Sequence, residues 1–175
     1  MDISIQKTYK KGTHVYVRDE KEAWVRAEVT NVSVDEKAGK VSIELKHLAD
    51  DSRSSTFEAT LREVLETKTK ELPLLCDPPG SDGIDDLTNL SHLHEPAVLD
   101  NLRLRYKEND IYTYSGIVLV ALNPFARVDR YSQHELETYA GRARGELQPH
   151  LFAIAEDAYQ GMIRDCMNQT IIVSG

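Results

Sequence analysis

The chain has 175 residues, of which 41% are hydrophobic and 29% charged, with 6 prolines, a balance that builds a packed core and excludes a disordered tail. Lys and Arg total 21 against 29 Asp and Glu, and the net charge of −8 excludes a nucleic-acid partner, which needs a clustered basic face. The opening MDISIQKTYKKG has no apolar leader and no run approaches the roughly 18 apolar residues of a membrane span, so direct membrane insertion is excluded and a cytoplasmic protein is expected.

Lys7, Lys10 and Lys11 read as a solvated group. From Thr13 to about Leu61 the pattern is short and alternating: Val15 and Val17, then Val25, Ala27 and Val29, then Val41, Ile43 and Leu45. Period-two runs of this kind are strands with one buried face. VDEKAGK, with Gly39 free to take a positive φ, sits between the second and third runs and predicts a hairpin. Several short strands in some fifty residues point to a small SH3-like barrel over 8–62. Such a barrel is either a structural module or a peptide reader. A Pro-rich-peptide groove needs clustered aromatics, and 13–61 supplies Tyr16, Trp24 and Phe57.

The stretch 63–81 changes character. Pro73, Pro78, Pro79 and Gly80 punctuate it, and it reads as a connector. DLTNLSHLHEPAVLDNLRLRY then turns helical, with Pro96 suited to a first turn and Val98, Leu99, Leu102 and Tyr106 on one core-facing stripe. His92 and His94 beside Glu95 raise metal binding. Ligands two apart on a helix diverge, and the local pattern is that of a helix start. Cys76 and Cys166 lie far apart and read as free thiols.

IYTYSGIVLVALNPF carries the unbroken apolar run Ile117–Leu122, expected as a central strand buried on both faces. Ser132 with Glu135 forms a capping-box start and Gly141 a stop. Pro149 opens a further helix whose stripe is Leu151, Ile154, Ala155, Ala158, Tyr159 and Met162. The last residues, QTIIVSG, read as a buried strand running into Gly175. A strand ending in Ser-Gly leads more often into an ordinary turn than into a phosphate loop.

Four blocks, DLTNLSHLHEPAVLDNLRLRY, IYTYSGIVLVALNPF, PHLFAIAEDAY and QTIIVSG, together spanning Asp86–Gly175, resemble the motor domain of myosins in wording, order and distance. The barrel opening YKKGTHVYVRD and the wording LSHLHEPAVL look most like class V, the cargo-carrying myosins. The resemblance implies an α+β chain: the SH3-like barrel, then, over 82–175, the incomplete start of an α/β P-loop motor domain. In that family the last strand continues as G-E-S-G-A-G-K-T, so Gly175 corresponds to the first glycine of the phosphate loop, and the lysine and threonine that serve phosphate and Mg²⁺ fall beyond it.

The family also holds adenine beside N-P-x-x-x-x-x-x-Y. Here NPFARVDRY supplies Asn123, Pro124, Arg127 and Tyr131. Asn123 offers a donor and an acceptor to a purine edge, Pro124 fixes the chain leaving the strand, and Tyr131 offers a ring or a phenolic hydrogen bond. The implied cofactor is ATP with Mg²⁺. The implied partners are the actin filament and calmodulin-like light chains, met through segments not in this sequence. The complete protein is expected to be a cytoskeleton-associated ATPase, and these 175 residues alone are expected to have no turnover, no catalytic residue and no metal ligand. Two other readings stand beside it: a non-enzymatic adaptor built on the SH3-like module, and a nucleotide-binding enzyme of another P-loop family.

Overall fold

The computed structural model describes residues 3–50, 52–67, 71–77, 80 and 83–175. Pro78 and Pro79, which punctuate the expected connector, lie outside the described residues, as do positions 68–70, 81 and 82 with the boundary placed there. By packing, the chain divides into two units, Met1–Asp82 and Gly83–Gly175.

In the first unit the alternating runs become β1 (His14–Asp19), β2 (Ala23–Asp35), β3 (Lys40–His47) and β4 (Ser54–Thr60), each antiparallel to the next. Short local bonds fold the chain back between them. Asp19 Oδ1 accepts from the backbone N–H groups of Lys21 (2.9 Å) and Glu22 (3.0 Å), and Asp35 Oδ1 from those of Lys37 (3.0 Å) and Ala38 (2.9 Å). Gly39 follows with φ 62°, the positive value expected of this hairpin.

β2 buries Ala27 and Val29 at odd positions but packs Val32 and Val34 against the core at even ones. A register shift between Val29 and Asn31 absorbs the extra residue, Thr30, so both halves of the strand present apolar side chains to the same core. That core gathers Ile5, Tyr9, Val15, Ala27, Val29, Val41, Ile43 and Leu45. Ile5 comes from α1 (Ile3–Thr8), a short helix that the sequence pattern did not predict.

The segment read as a connector belongs in part to this sheet. After a wide helical turn at Arg62–Glu66, β5 (Leu74–Leu75) pairs with Val15 and Tyr16 of β1, and the Tyr9 hydroxyl donates to the Pro73 carbonyl at 2.7 Å. The strand order is β4-β3-β2-β1-β5. Among the described residues no ladder joins β4 to β5, so closure into the expected barrel is not seen.

In the second unit, a short turn at Leu87–Asn89 precedes α2 (Glu95–Lys107). The helix starts where expected, capped by His94, whose Nδ1 accepts from the Ala97 N–H at 3.3 Å. Its buried face is not the expected one. Pro96, Ala97, Asn101 and Arg105 are buried, whereas Val98 and Leu102 are half-buried and Leu99 and Tyr106 exposed. Hydrogen bonding explains the exchange. Arg105 donates from Nε to Thr113 Oγ1, from Nη1 to the Gly83 carbonyl and from Nη2 to the Tyr112 carbonyl, each at 3.0 Å. Asn101 Nδ2 donates to the Ile84 carbonyl at 2.9 Å. A planar guanidinium satisfied by oxygens from two neighbouring segments is buried at little cost, and it draws its own helix face inward.

The apolar run after Gly116 forms β7 (Val118–Ala121), antiparallel to β6 (Tyr112–Ser115). It is not the expected doubly buried strand: Ile117 is 90% exposed and Val118 57%. Among the described residues its ladder neighbour is β6 alone, so the other edge has nothing to cover it. Among the described residues the sheet content here is this hairpin and one parallel bridge, Asp86 to Tyr114, less than the expected start of an α/β domain.

α3 (Gln133–Tyr139) has the expected capping box between Ser132 and Glu135, and Gly141 follows in the left-handed region. α4 (Leu151–Arg164) starts behind Pro149 as expected, but its apolar stripe is largely uncovered, with Tyr159 and Met162 about half exposed. Beyond it the strand expected at QTIIVSG is absent, and Ile171, Ile172 and Val173 are exposed. A lone strand has no partners for its backbone N–H and C=O groups, and none of the described segments lies alongside to supply them.

Candidate functional site

The four predicted loop residues leave β7 in order. Asn123 turns the chain: its Oδ1 accepts from the Phe125 N–H at 2.9 Å, and its carbonyl accepts from the Tyr106 hydroxyl of α2 at 3.3 Å. Phe125 takes φ 49° and is 90% exposed, while Pro124 is half-buried and Arg127 exposed. The far end of the loop is held by another set of contacts. Arg130 pairs with Asp110 at 2.9 Å, and the Tyr131 hydroxyl shares a 2.8 Å hydrogen bond with that of Tyr112 on β6. Asn123 is thus anchored on α2 and Tyr131 on β6, with Pro124 and Arg127 between. Gly175 lies in the segment after α4 that forms no regular element, and it joins none of these contacts.

His150 organises the Tyr131 end. It is 3% exposed, and both ring nitrogens are satisfied. Nδ1 accepts from the Phe152 N–H at 3.0 Å, capping α4, so the proton sits on Nε2, which donates to the Arg130 carbonyl at 2.9 Å. Tyr139 stacks on the imidazole at 5.0 Å, and Tyr112, Tyr131 and Phe152 surround it at 5.1, 5.7 and 4.6 Å. Burial depresses the His150 pKa below its ordinary value, which favours the neutral ring these bonds require. Burial, followed by the bond to Tyr131, pushes the Tyr112 phenol up. Tyr131 keeps 48% of its surface exposed.

Reading the motif alone missed Tyr112, Tyr139, His150 and Phe152. One signal was there: PHLFAIA places a histidine directly before a helix, as HEPAV does with His94, and both serve as N-caps. His94 acts in that role beside the ring of His92 (6.4 Å), and among the described residues no group of three His, Cys, Asp or Glu gathers that could hold a metal. Neither cysteine forms a disulfide; Cys76 is buried and Cys166 exposed. In the first unit a groove of about 520 Å³ is lined by Tyr16, Trp24 and Phe57 together with Leu72, Pro73 and Leu74. Arg18 stacks over Trp24 at 4.5 Å. No helix among the described residues is long and apolar enough to cross a membrane.

The sequence pattern of the myosin head (motor domain) family matches residues 84–175. The chain belongs to the myosin head family. It is 47% identical over 169 residues to Myosin-2 of Lachancea kluyveri, covering 96% of this chain and 10% of that protein. It is 44% identical over 174 residues to unconventional myosin-Vb of Homo sapiens, covering 99% of this chain and 9% of the relative. Myosin-4 of Saccharomyces cerevisiae is 41% identical over 169 residues, 96% of this chain and 11% of its own length. The chain thus spans about a tenth of the length of the curated relatives it matches.

Proposed function

We propose that the chain is the N-terminal part of an actin-based, ATP-hydrolysing motor of class V type, and that residues 123–131 form the loop that receives the adenine of ATP. The observation that carries the site is the anchoring of Tyr131. Its hydroxyl and one side are fixed by Tyr112, His150 and Phe152, and the half of its surface left exposed presents a preoriented ring to a purine. Asn123, at the other end, turns the backbone so that the exposed loop leaves β7 under control of α2.

In this reading the first unit is an SH3-like barrel left open between β4 and β5. Phosphate contacts begin at Gly175 and continue, with the Mg²⁺ ligands, in sequence following it. When bound, the Mg-nucleotide supplies the phosphoryl group whose transfer drives movement. This chain's own residues would orient the base and take no part in bond breaking, so the 175 residues alone have no turnover. Actin and calmodulin-like light chains belong to the complete protein, which is placed on the cytoplasmic cytoskeleton.

Photoaffinity labelling of the complete motor head with a 2-azido-adenine nucleotide tests the site directly. Label within 123–131 that is displaced by excess ATP supports it. Displaceable label that never falls in this segment overturns it.

The adaptor reading has one observation in its favour, the convergence of Tyr16, Trp24 and Phe57 on a single groove. The match of 84–175 to a motor family supports reading that groove as an accessory of the motor.

A further inference from the structure

One imidazole touches both the 123–131 loop and the start of α4. We propose that His150 is a positioning residue for purine binding: its Nε2–H holds the Arg130 carbonyl, and with it Tyr131, while its Nδ1 ties that hold to the first turn of α4. The proposal rests on the reading of 123–131 as the purine loop.

The geometry leaves the ring little freedom. It is 3% exposed, stacked on Tyr139 and hemmed by Tyr112, Tyr131 and Phe152, and it donates and accepts at opposite edges at 2.9 and 3.0 Å. Imidazole alone among side chains offers a donor and an acceptor on one rigid ring. Other contacts anchor the loop through Asn123 and through the Arg130–Asp110 pair, which is about a third exposed on each side and correspondingly weak. The Tyr112 bond fixes the Tyr131 hydroxyl, whereas the His150 bond, made by a 3% exposed ring, holds the backbone one residue before the tyrosine that meets the base. A shift of the α4 N-terminus therefore moves the Arg130 carbonyl with it, and the base site follows the helix.

Two substitutions divide the ring's duties. His150→Asn retains an acceptor short enough to cap α4 but cannot reach the Arg130 carbonyl. His150→Gln reaches that carbonyl with an amide N–H but gives up the cap. The complete motor head is titrated with a non-hydrolysable ATP analogue and with Mg-pyrophosphate, and loop exposure is read from the rate of tryptic cleavage after Arg127. For His150→Asn, analogue affinity falls about fivefold, as expected for one lost hydrogen bond, pyrophosphate affinity stays unchanged and cleavage after Arg127 accelerates. For His150→Gln, analogue affinity and cleavage stay within twofold of wild type although the melting temperature drops.

Equal losses in the two variants, equal losses for the two ligands, or wild-type behaviour of His150→Asn would each overturn the proposal. A Tyr131→Ala arm separates the two ideas. If Tyr131→Ala weakens analogue and pyrophosphate alike, the purine reading fails and the proposal with it. If Tyr131→Ala is selective for the analogue and His150→Asn is not, only the role of His150 fails. Should His150→Asn not fold, hydrogen exchange of the wild-type head decides: the analogue protects the Phe152 amide together with 128–131, and protection confined to the loop refutes the coupling.

Discussion

On the proposed site, removing the Tyr131 side chain should separate base binding from phosphate binding, and the structure sets the size of the expected effects. The ring is half exposed, and the exposed part is what a base can cover. One aromatic contact of that kind contributes about 1 kcal/mol, so Tyr131→Ala should weaken ATP-analogue binding about fivefold in the complete motor head. Mg-pyrophosphate has no base, and its affinity should not change. The same substitution also removes the 2.8 Å bond to the Tyr112 hydroxyl, which is buried and loses its partner. Stability should fall by about 2–4 kcal/mol, the lost bond plus the unsatisfied hydroxyl. Tyr131→Phe isolates that loss: it keeps the ring, breaks the same bond and strands the same hydroxyl, and leaves analogue affinity within twofold. Paired calorimetric titrations, run well below the melting temperature of each variant, provide the assay. Equal weakening of both ligands in Tyr131→Ala, or a loss of analogue affinity in Tyr131→Phe as large as in Tyr131→Ala, would show that the tyrosine is a packing residue and meets no base.

Arg105→Met removes three buried donors and strands the Tyr112 carbonyl; the unfolding free energy of the head should drop by about 3 kcal/mol, and a urea midpoint unchanged from wild type would show that the network adds nothing. His47 and His150 both have pKa values held below 6.5 by burial, so the unfolded chain binds more protons as acidity rises. Stability is therefore full above about pH 6.5 and falls as pH drops through that value, which a urea midpoint followed from pH 7.5 to 5 will reveal or refute. Asp19, held at about 2 by the Glu22 and Lys21 amides and by Arg53, loses its contribution only as pH falls from about 4 toward 2, outside that window. Gly161→Ala in α4 meets only the end of the Gln169 side chain, which can swing away, so it should stabilise by about 0.5–1 kcal/mol; a lower melting temperature would mean that Gln169 cannot yield.

Elements whose partners lie within a few dozen residues were legible in the sequence. β1 to β3, the Gly39 hairpin, the Ser132–Glu135 box and the starts of α2 and α4 follow from local pattern and capping chemistry that act over one or two turns. Where burial depends on distant or polar partners, the pattern misled. The apolar stripe of α2 lost its place to Asn101 and Arg105 because hydrogen bonds to Ile84, Gly83, Tyr112 and Thr113, which no periodicity records, decide which face turns in. The runs at 117–122 and 170–173 are apolar enough for central strands, but a strand is made by its neighbours. Near the proposed site, NPFARVDRY was legible as the loop that leaves β7. The cluster that steadies it assembles from β6, α3 and α4, and its hub is a histidine whose importance lies in two hydrogen bonds and not in its spacing.

The register shift at Thr30 has a consequence for changes of chain length. β2 carries two phases, odd inward before Thr30 and even inward after it, so the strand obeys a parity rule that side-chain substitution never tests. Deleting Thr30 would restore a plain ladder with Ala27, Val29, Val32 and Val34 still on one face, because Asn31 would then follow Val29 directly. Deleting one residue elsewhere in β2 inverts the phase from that point to the nearest turn. A deletion of two preserves phase but must be absorbed at 19–23 or 35–39, where backbone-capping aspartates hold the turns. Length variants of this unit should therefore survive in the turns and at Thr30 itself, and fail elsewhere in the strand.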